Sequence, residues 1–297
     1  MKAERLSPNG TIGIFCPSHI ADKARYERIS TAIERLGFKV KFGANIEKDT
    51  YGYAASAEER AEDLNVMVLD DTIQMILFSG GESAVEILPY INYKNICKKH
   101  KLFSSYSDGT SILNAIYSQT GLETYYGFGA GQFEDLRYYD YMQFCSNFVD
   151  GYQLERFEKN SKWKTLNNGI GEGILIGGYT SLFGLMLSNK YFKYDSNKKY
   201  LLILEDHECF SHVGAVSTYL AFIEQSDFMK NVTGLIFGHY SVNLPESLLN
   251  CLERIGKRNN IPVIYTDDFG HGINHAVLPI GKTAILNANN QSLCFCD

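Results

Sequence analysis

Apolar and polar positions follow two periods along the first 120 residues, and the two periods take turns. Residues 11–15 form an apolar run that ends at Cys16-Pro17-Ser18, the pattern of a buried strand and a turn. In residues 22–36, Tyr26, Ile29, Ile33 and Leu36 recur at helical spacing, and Gly37 stands where a helix end favours left-handed backbone. Residues 38–42 alternate like a strand. Residues 56–69 place Ala57, Ala61, Leu64 and Val68 on one helical face, with Ser56 and Glu59 spaced as a capping box. An apolar strand over 72–78 then stops at Ser79-Gly80-Gly81-Glu82. Residues 86–90 and 91–99 suggest a helix and a short connector, 102–105 another strand, and 110–117 a helix. Repeated strand–helix units predict a mostly parallel, doubly wound sheet with helices on both faces.

The rhythm lapses over 128–166, an aromatic and charged stretch that reads as an irregular, partly helical connection lining a cleft. It resumes with strands over 173–176, 200–204, 234–237, 262–265, 283–286 and 292–295, and a helix over 213–223. The reading is α/β throughout: an N-terminal domain over 1–150, a linker over 151–168, and a second α/β domain over 169–297. A chain of 297 residues is too long for one small core, and 45% hydrophobic against 21% charged residues gives it enough apolar side chains for two.

Charge and cysteine usage narrow the classes of function. With 28 basic and 34 acidic residues the net charge is −6, and the densest basic cluster, Lys98-Lys99-His100-Lys101, reads as a solvated helix end. A nucleic-acid partner would call for a basic surplus, so none is expected. Residues 173–189, the longest uncharged stretch of interest, are broken by Gly177, Gly178, Thr180, Ser181 and Gly184, which excludes a membrane span there. The first residues lack the apolar core of a signal peptide. Seven cysteines (Cys16, Cys97, Cys145, Cys209, Cys251, Cys294 and Cys296) are an odd number without a C-x-x-C pair, which points to a reducing, cytoplasmic setting.

The sharpest chemical signal is Ser105-Tyr106-Ser107-Asp108-Gly109, lying between an apolar strand and a helix. A tight strand-to-helix turn pushes its central side chain out at the carboxyl end of a sheet and needs small neighbours. That is the logic of a nucleophile elbow, here with Ser105 in place of the first glycine. The Asp108 N–H and the helix N-terminus would face an oxyanion forming on Ser107, and the Gly80–Gly81 pair could supply a second donor. The competing reading of the same serine is an ordinary helix N-cap. A serine nucleophile needs a base and an orienting carboxylate. His271, between glycines and after the strand over 262–265, and Glu205, at the end of the strand over 200–204, are placed for these roles. A metal-dependent hydrolase is the alternative: His271 and His275 are four residues apart, and Glu205, His207, Cys209 and His212 form a dense donor set. Against it, Gly272 takes the place of the zincin glutamate and Gly-His-Gly is a poor helix.

The order of motifs along the chain is more specific than any one of them. It runs from Glu58-Glu59-Arg60-Ala61-Glu62-Asp63-Leu64 to Phe78-Ser79-Gly80-Gly81 and Tyr106-Ser107-Asp108. Beyond these come Gly173-Ile174-Leu175-Ile176-Gly177-Gly178, Leu204-Glu205-Asp206, Gly270-His271 and Leu278-Pro279-Ile280-Gly281. This series resembles the LD-carboxypeptidase / microcin C self-immunity family of serine peptidases over nearly the whole chain. The resemblance implies a Ser–Glu–His triad at Ser107, Glu205 and His271, with oxyanion or substrate-binding donors at Gly80, Gly81 and Asp108. It also implies no cofactor, a homodimer, and one of two substrates. These are a peptidoglycan-derived tetrapeptide cut before its terminal D-Ala, or a peptidyl- or aminoacyl-nucleotide of the microcin C type. Ser79-Gly80-Gly81-Glu82 and Tyr90-Ile91-Asn92-Tyr93 lean toward the immunity-like branch. The chain departs from the family pattern at Ser105 for Gly, Tyr179 for Asn, and His239 for a basic residue. A non-catalytic, two-lobed ligand-binding protein is the reading from another class.

Overall fold

A computed structural model describes residues 1–151 and 157–296. The chain forms two compact units, Met1–Gln153 and Leu154–Asp297. In the first, strands and helices alternate: β1 (Thr11–Phe15), α1 (Lys23–Arg35), β2 (Lys39–Phe42), α2 (Ala57–Leu69), β3 (Ile73–Phe78), α3 (Tyr93–Lys99), β4 (Leu102–Ser105), α4 (Thr110–Thr120), β5 (Thr124–Tyr126) and α5 (Tyr138–Phe148). The sequence predicts this order except between β3 and β4, where the helix expected over 86–90 is a 3-10 segment, Ala84–Tyr90, with Pro89 inside it, and the expected connector over 91–99 holds α3. Asp22 caps α1 by accepting the Arg25 N–H, and Tyr26, Ile29 and Ile33 form the buried stripe that predicted it. Ser56 and Glu59 close the reciprocal capping box of α2. The strands of this unit lie in the order β5-β4-β3-β1-β2 and every pair is parallel. A parallel sheet gathers its carboxyl ends at one edge, so the segments after β1, β3 and β4 lie side by side.

The lapse over 128–166 conceals regular structure. Phe128, Phe133, Phe144 and Phe148 are buried and stack on one another at centroid separations such as 5.2 Å and 5.3 Å, with α5 supplying two of the rings. These aromatics are core, not the lining of a cleft. The period was blurred because the helix buries polar Asp140, Gln143 and Asn147 beside them. The linker expected over 151–168 falls partly on residues outside those described, and its final part is a strand, β6 (Lys164–Asn167).

The second unit continues with β7 (Ile170–Tyr179), α6 (Thr180–Met186), β8 (Tyr200–Glu205), α7 (Val213–Gln225), β9 (Val232–His239), α8 (Glu246–Asn259), β10 (Val263–Gly270), β11 (Leu278–Ile280), β12 (Thr283–Asn287) and β13 (Ser292–Phe295). Its sheet runs β13-β12-β7-β8-β9-β10-β6. The four central strands β7 to β10 are parallel, flanked by antiparallel β12, β13 and β6. Glu205, His239 and Gly270 therefore end three adjacent parallel strands. Among the described residues no helix is long and apolar enough to cross a membrane.

Candidate active site

Ser107 follows β4 with φ +55, a left-handed conformation that a non-glycine residue adopts at a cost of about 1–3 kcal/mol. A single helical turn, Ser107–Gly109, then leads into α4. Tyr126, whose Cα pairs with Ser105 across β4 and β5, accepts the Ser107 N–H on its phenol oxygen at 3.0 Å. The Ser107 carbonyl accepts from Thr110 Oγ1. Ser105, crowded by comparison with glycine, fits because Gly109 has no side chain: a Cβ there would lie 2.3 Å from Ser105 Oγ. That hydroxyl instead donates to the Phe78 carbonyl.

The Ser79–Glu82 loop leaves the neighbouring strand β3 and lies against Ser107. A Cβ built on Gly80 would come 3.3 Å from Ser107 Cβ and 3.7 Å from Oγ. Gly81 has φ +146, and a side chain there would strike Ser18 Cβ at 2.6 Å, so this position demands glycine. The Asp108 carboxyl turns away to accept from Ser18 Oγ (2.5 Å) and the Ala84 N–H (2.7 Å). Burial raises its pKa to about 6 in spite of these bonds.

In the second unit, His271 Nδ1 lies 2.9 Å from Glu205 Oε2. The carboxylate oxygen can only accept here, so Nδ1 donates the proton of this bond. Glu205 is fully buried, and its backbone carbonyl is tied by Thr180 Oγ1. Gly270, at φ +105, admits the carboxylate; a Cβ there would meet Glu205 Oε2 at 3.1 Å. Tyr179 sits beside Glu205 across β7 and β8, packs its ring edgewise on His271 at 5.4 Å, and donates its hydroxyl to Asp206 Oδ1 at 2.8 Å. Burial lowers the pKa of His271, but the charge and hydrogen bond of Glu205, with the charge of Asp206, outweigh it and hold the imidazole above its usual 6.5. Burial pushes Asp206 itself to about 6.

The residues of the metal alternative have other partners. Residues 271–277 are not helical, so the spacing of His271 and His275 does not put them on a common face. His212 Nδ1 caps α7 by accepting the Ala215 N–H, and His207 Nδ1 accepts from the Cys209 N–H. Among the described residues no group of three or more His, Cys, Asp and Glu is disposed to hold a metal ion. His239, the departure from the family pattern, is held by Asp267 at 2.8 Å. Sequence reasoning missed Tyr126, and it missed His19, whose Nδ1 lies 3.0 Å from the Gly80 carbonyl oxygen. The three-residue strand β5 offers too short a period to show Tyr126, and His19 is recognisable only once β1 lies beside β3.

Comparison with known proteins agrees with this layout. The family model described as the LD-carboxypeptidase N-terminal domain matches residues 12–127, and the model of the C-terminal domain matches residues 172–286. A Bacillus subtilis protein named as a probable murein peptide carboxypeptidase is 28% identical over 308 residues, covering 98% of this chain and 93% of that protein. The Escherichia coli microcin C7 self-immunity protein MccF is 33% identical over 129 residues, 42% of this chain and 38% of that protein. A solved structure of MccF with aspartyl sulfamoyl adenosine superposes with a TM-score of 0.84 at 23% identity, covering 99% of this chain and 98% of that one. The MccF-like protein of Bacillus anthracis gives 0.88, also at 23% identity, with the same coverage.

Proposed function

This chain belongs to the LD-carboxypeptidase family, a family of serine peptidases, and we propose that it hydrolyses an amide bond with Ser107, His271 and Glu205 as its triad. The observation that carries this reading is the backbone of Ser107: φ +55 at a strand-to-helix turn is a strain that a mere N-cap has no use for. His271 Nε2 takes the Ser107 hydroxyl proton as Oγ attacks the carbonyl carbon. Glu205 fixes the Nδ1–H tautomer and stabilises the imidazolium. The oxyanion is met by the N–H of Asp108 and the N–H of the Gly80–Gly81 peptide. The imidazolium gives its proton to the leaving amine, and water, deprotonated by the same imidazole, then releases the acyl group and restores Ser107.

Two substrates suit this chemistry, and both rest on the names of relatives. One is a peptidoglycan tetrapeptide losing its terminal D-Ala, in line with the murein peptide carboxypeptidase of B. subtilis. The other is an aminoacyl- or peptidyl-nucleotide, in line with MccF and its aspartyl sulfamoyl adenosine complex. The enzyme acts on either as a cytoplasmic homodimer. Seven free cysteines support the compartment, and family resemblance supports the dimer.

Mass spectrometry after treatment with a serine-acylating probe tests the nucleophile. The label should map to Ser107, and Ser107→Ala should turn over neither the tetrapeptide nor the nucleotide amide. A Ser107→Ala protein as active as the parent would overturn the triad. Binding of either compound with no turnover by the parent would favour the two-lobed binding protein.

A further inference from the structure

The oxyanion role asks one peptide, Gly80–Gly81, to keep a fixed orientation, yet glycines are the residues least able to hold their own backbone. Three side chains after β1 and in α1 supply what the glycines lack. His19 Nδ1 lies 3.0 Å from the Gly80 carbonyl oxygen. Tyr26 Oη lies 3.2 Å from His19 Nε2, and Cys16 Sγ lies 3.0 Å from Tyr26 Oη. In a neutral ring only one arrangement of protons satisfies all three contacts. A carbonyl can only accept, so His19 carries its proton on Nδ1. Nε2 is then a lone pair, and the Tyr26 hydroxyl must donate to it. The phenol oxygen in turn accepts the Cys16 S–H.

We propose that Cys16, Tyr26 and His19 form a one-way hydrogen-bond chain that locks the Gly80–Gly81 peptide, and that His19 is a positioning residue for the oxyanion site. The peptide is trans, so a carbonyl turned to His19 sends the Gly81 N–H the opposite way. Gly80 itself lies on Ser107, within 3.7 Å of Oγ for any added Cβ. The chain keeps its protons. Burial lowers the pKa of His19, which keeps the ring neutral with Nε2 as an acceptor. Burial pushes the Cys16 thiol up to about 11 and raises the Tyr26 phenol well above its usual range. Glycine at 81 belongs to the same device, because a Cβ there would come 3.4 Å from His19 Nδ1 and 2.6 Å from Ser18 Cβ.

This inference rests on Ser107 being the nucleophile, and a fluorophosphonate separates the two claims without knowledge of the substrate. Ser107 Oγ bonds to phosphorus, the P–F bond breaks, fluoride leaves, and the serine proton passes to His271. During that displacement the phosphoryl oxygen occupies the oxyanion site. The second-order rate of labelling at residue 107, followed by mass spectrometry on the full chain, is the readout. His19→Leu should label about 10- to 100-fold more slowly, up to the loss seen when one oxyanion donor is removed outright. His19→Gln should recover most of the rate, since its amide N–H can donate to Gly80 while its carbonyl accepts from Tyr26. Tyr26→Phe keeps the ring and its packing but frees Nε2 to take the proton, so an intermediate loss is expected even if His19→Leu folds poorly. His19→Leu or Tyr26→Phe labelling at the parent rate, with Ser107→Ala unlabelled, overturns the relay and leaves the nucleophile standing. His19→Gln as slow as a folded His19→Leu also overturns it, since packing alone would then explain the loss. Undiminished labelling of Ser107→Ala overturns the nucleophile.

Discussion

Burial and charge pull His271 in opposite directions, and in the proposed triad the balance sets the pH at which it can act as a base. Desolvation favours the neutral ring, while buried Glu205, hydrogen-bonded to Nδ1, and adjacent Asp206 favour the cation. The net displacement is upward from 6.5, so a larger share of the imidazole is protonated near neutrality than in a free histidine. The base must be neutral to accept the Ser107 proton. kcat/KM should therefore rise with pH through an acid limb centred above 6.5 and level off beyond it. Glu205→Gln keeps the shape and removes the charge. The limb should move to lower pH, and the plateau should fall by roughly 10⁴, the loss seen when a triad carboxylate becomes an amide. A pH–rate profile of the variant checks both. Full activity in Glu205→Gln would move the acid to Asp206 or Asp268.

At the scale of the element, glycines without room for a methyl group hold the strands that carry the site. Gly177 on β7 faces β8 with φ +134, and a Cβ there would lie 2.0 Å from the Ile203 carbonyl oxygen, two residues before Glu205. Gly177→Ala should cost about 3 kcal/mol or more, combining overpacking with backbone strain, and weaken the β7–β8 pairing that places Tyr179 beside Glu205. Urea titrations of Gly177→Ala checks this; an unchanged midpoint would refute it. Much of the element pattern was legible because burial and period agree, as in α1 and α2. Two departures differ in kind. β10 runs on to Gly270 although Thr266, Asp267 and Asp268 read as polar, because groups distant in sequence satisfy them: Trp163 Nε1 and the Asn160 N–H donate to Asp268, His239 Nδ1 lies 2.8 Å from Asp267 Oδ1, and Ser161 Oγ lies 3.1 Å from Thr266 Oγ1. α8 is absent from the sequence-based expectation although Leu248, Cys251, Leu252 and Ile255 keep helical spacing and are buried, a signal that is present in the sequence. The candidate site was legible for a different reason: Ser107, Glu205 and His271 each follow or end a strand, a placement that the chain alone can reveal. Their hydrogen-bond partners, Tyr126 and Thr180, come from pairing between strands and were not visible.

For the molecule as a whole, two buried carboxyls, Asp108 in the first compact unit and Asp206 in the second, should mark the pH dependence of stability. Asp108 in the first unit and Asp206 in the second both rise to about 6 from 3.8, chiefly by burial. Between those two values the folded state holds a proton on each carboxyl that the unfolded chain has already lost. Stability from these groups is complete below 3.8 and is lost as pH rises through about 6, the reverse of an exposed, salt-bridged aspartate. An amide at either position does not titrate. The stability of the parent minus that of Asp108→Asn, or minus that of Asp206→Asn, should therefore fall as pH rises from about 4 to about 6 and then stay level. Asn at 108 can still accept from Ser18 through its carbonyl oxygen, so this comparison isolates the charge more than the shape. Urea unfolding at pH values across that window, read for each variant against the parent, supplies the measurement. A difference that stays constant with pH would show that both carboxyls ionise in the folded protein as freely as in the unfolded chain, and that burial does not govern them.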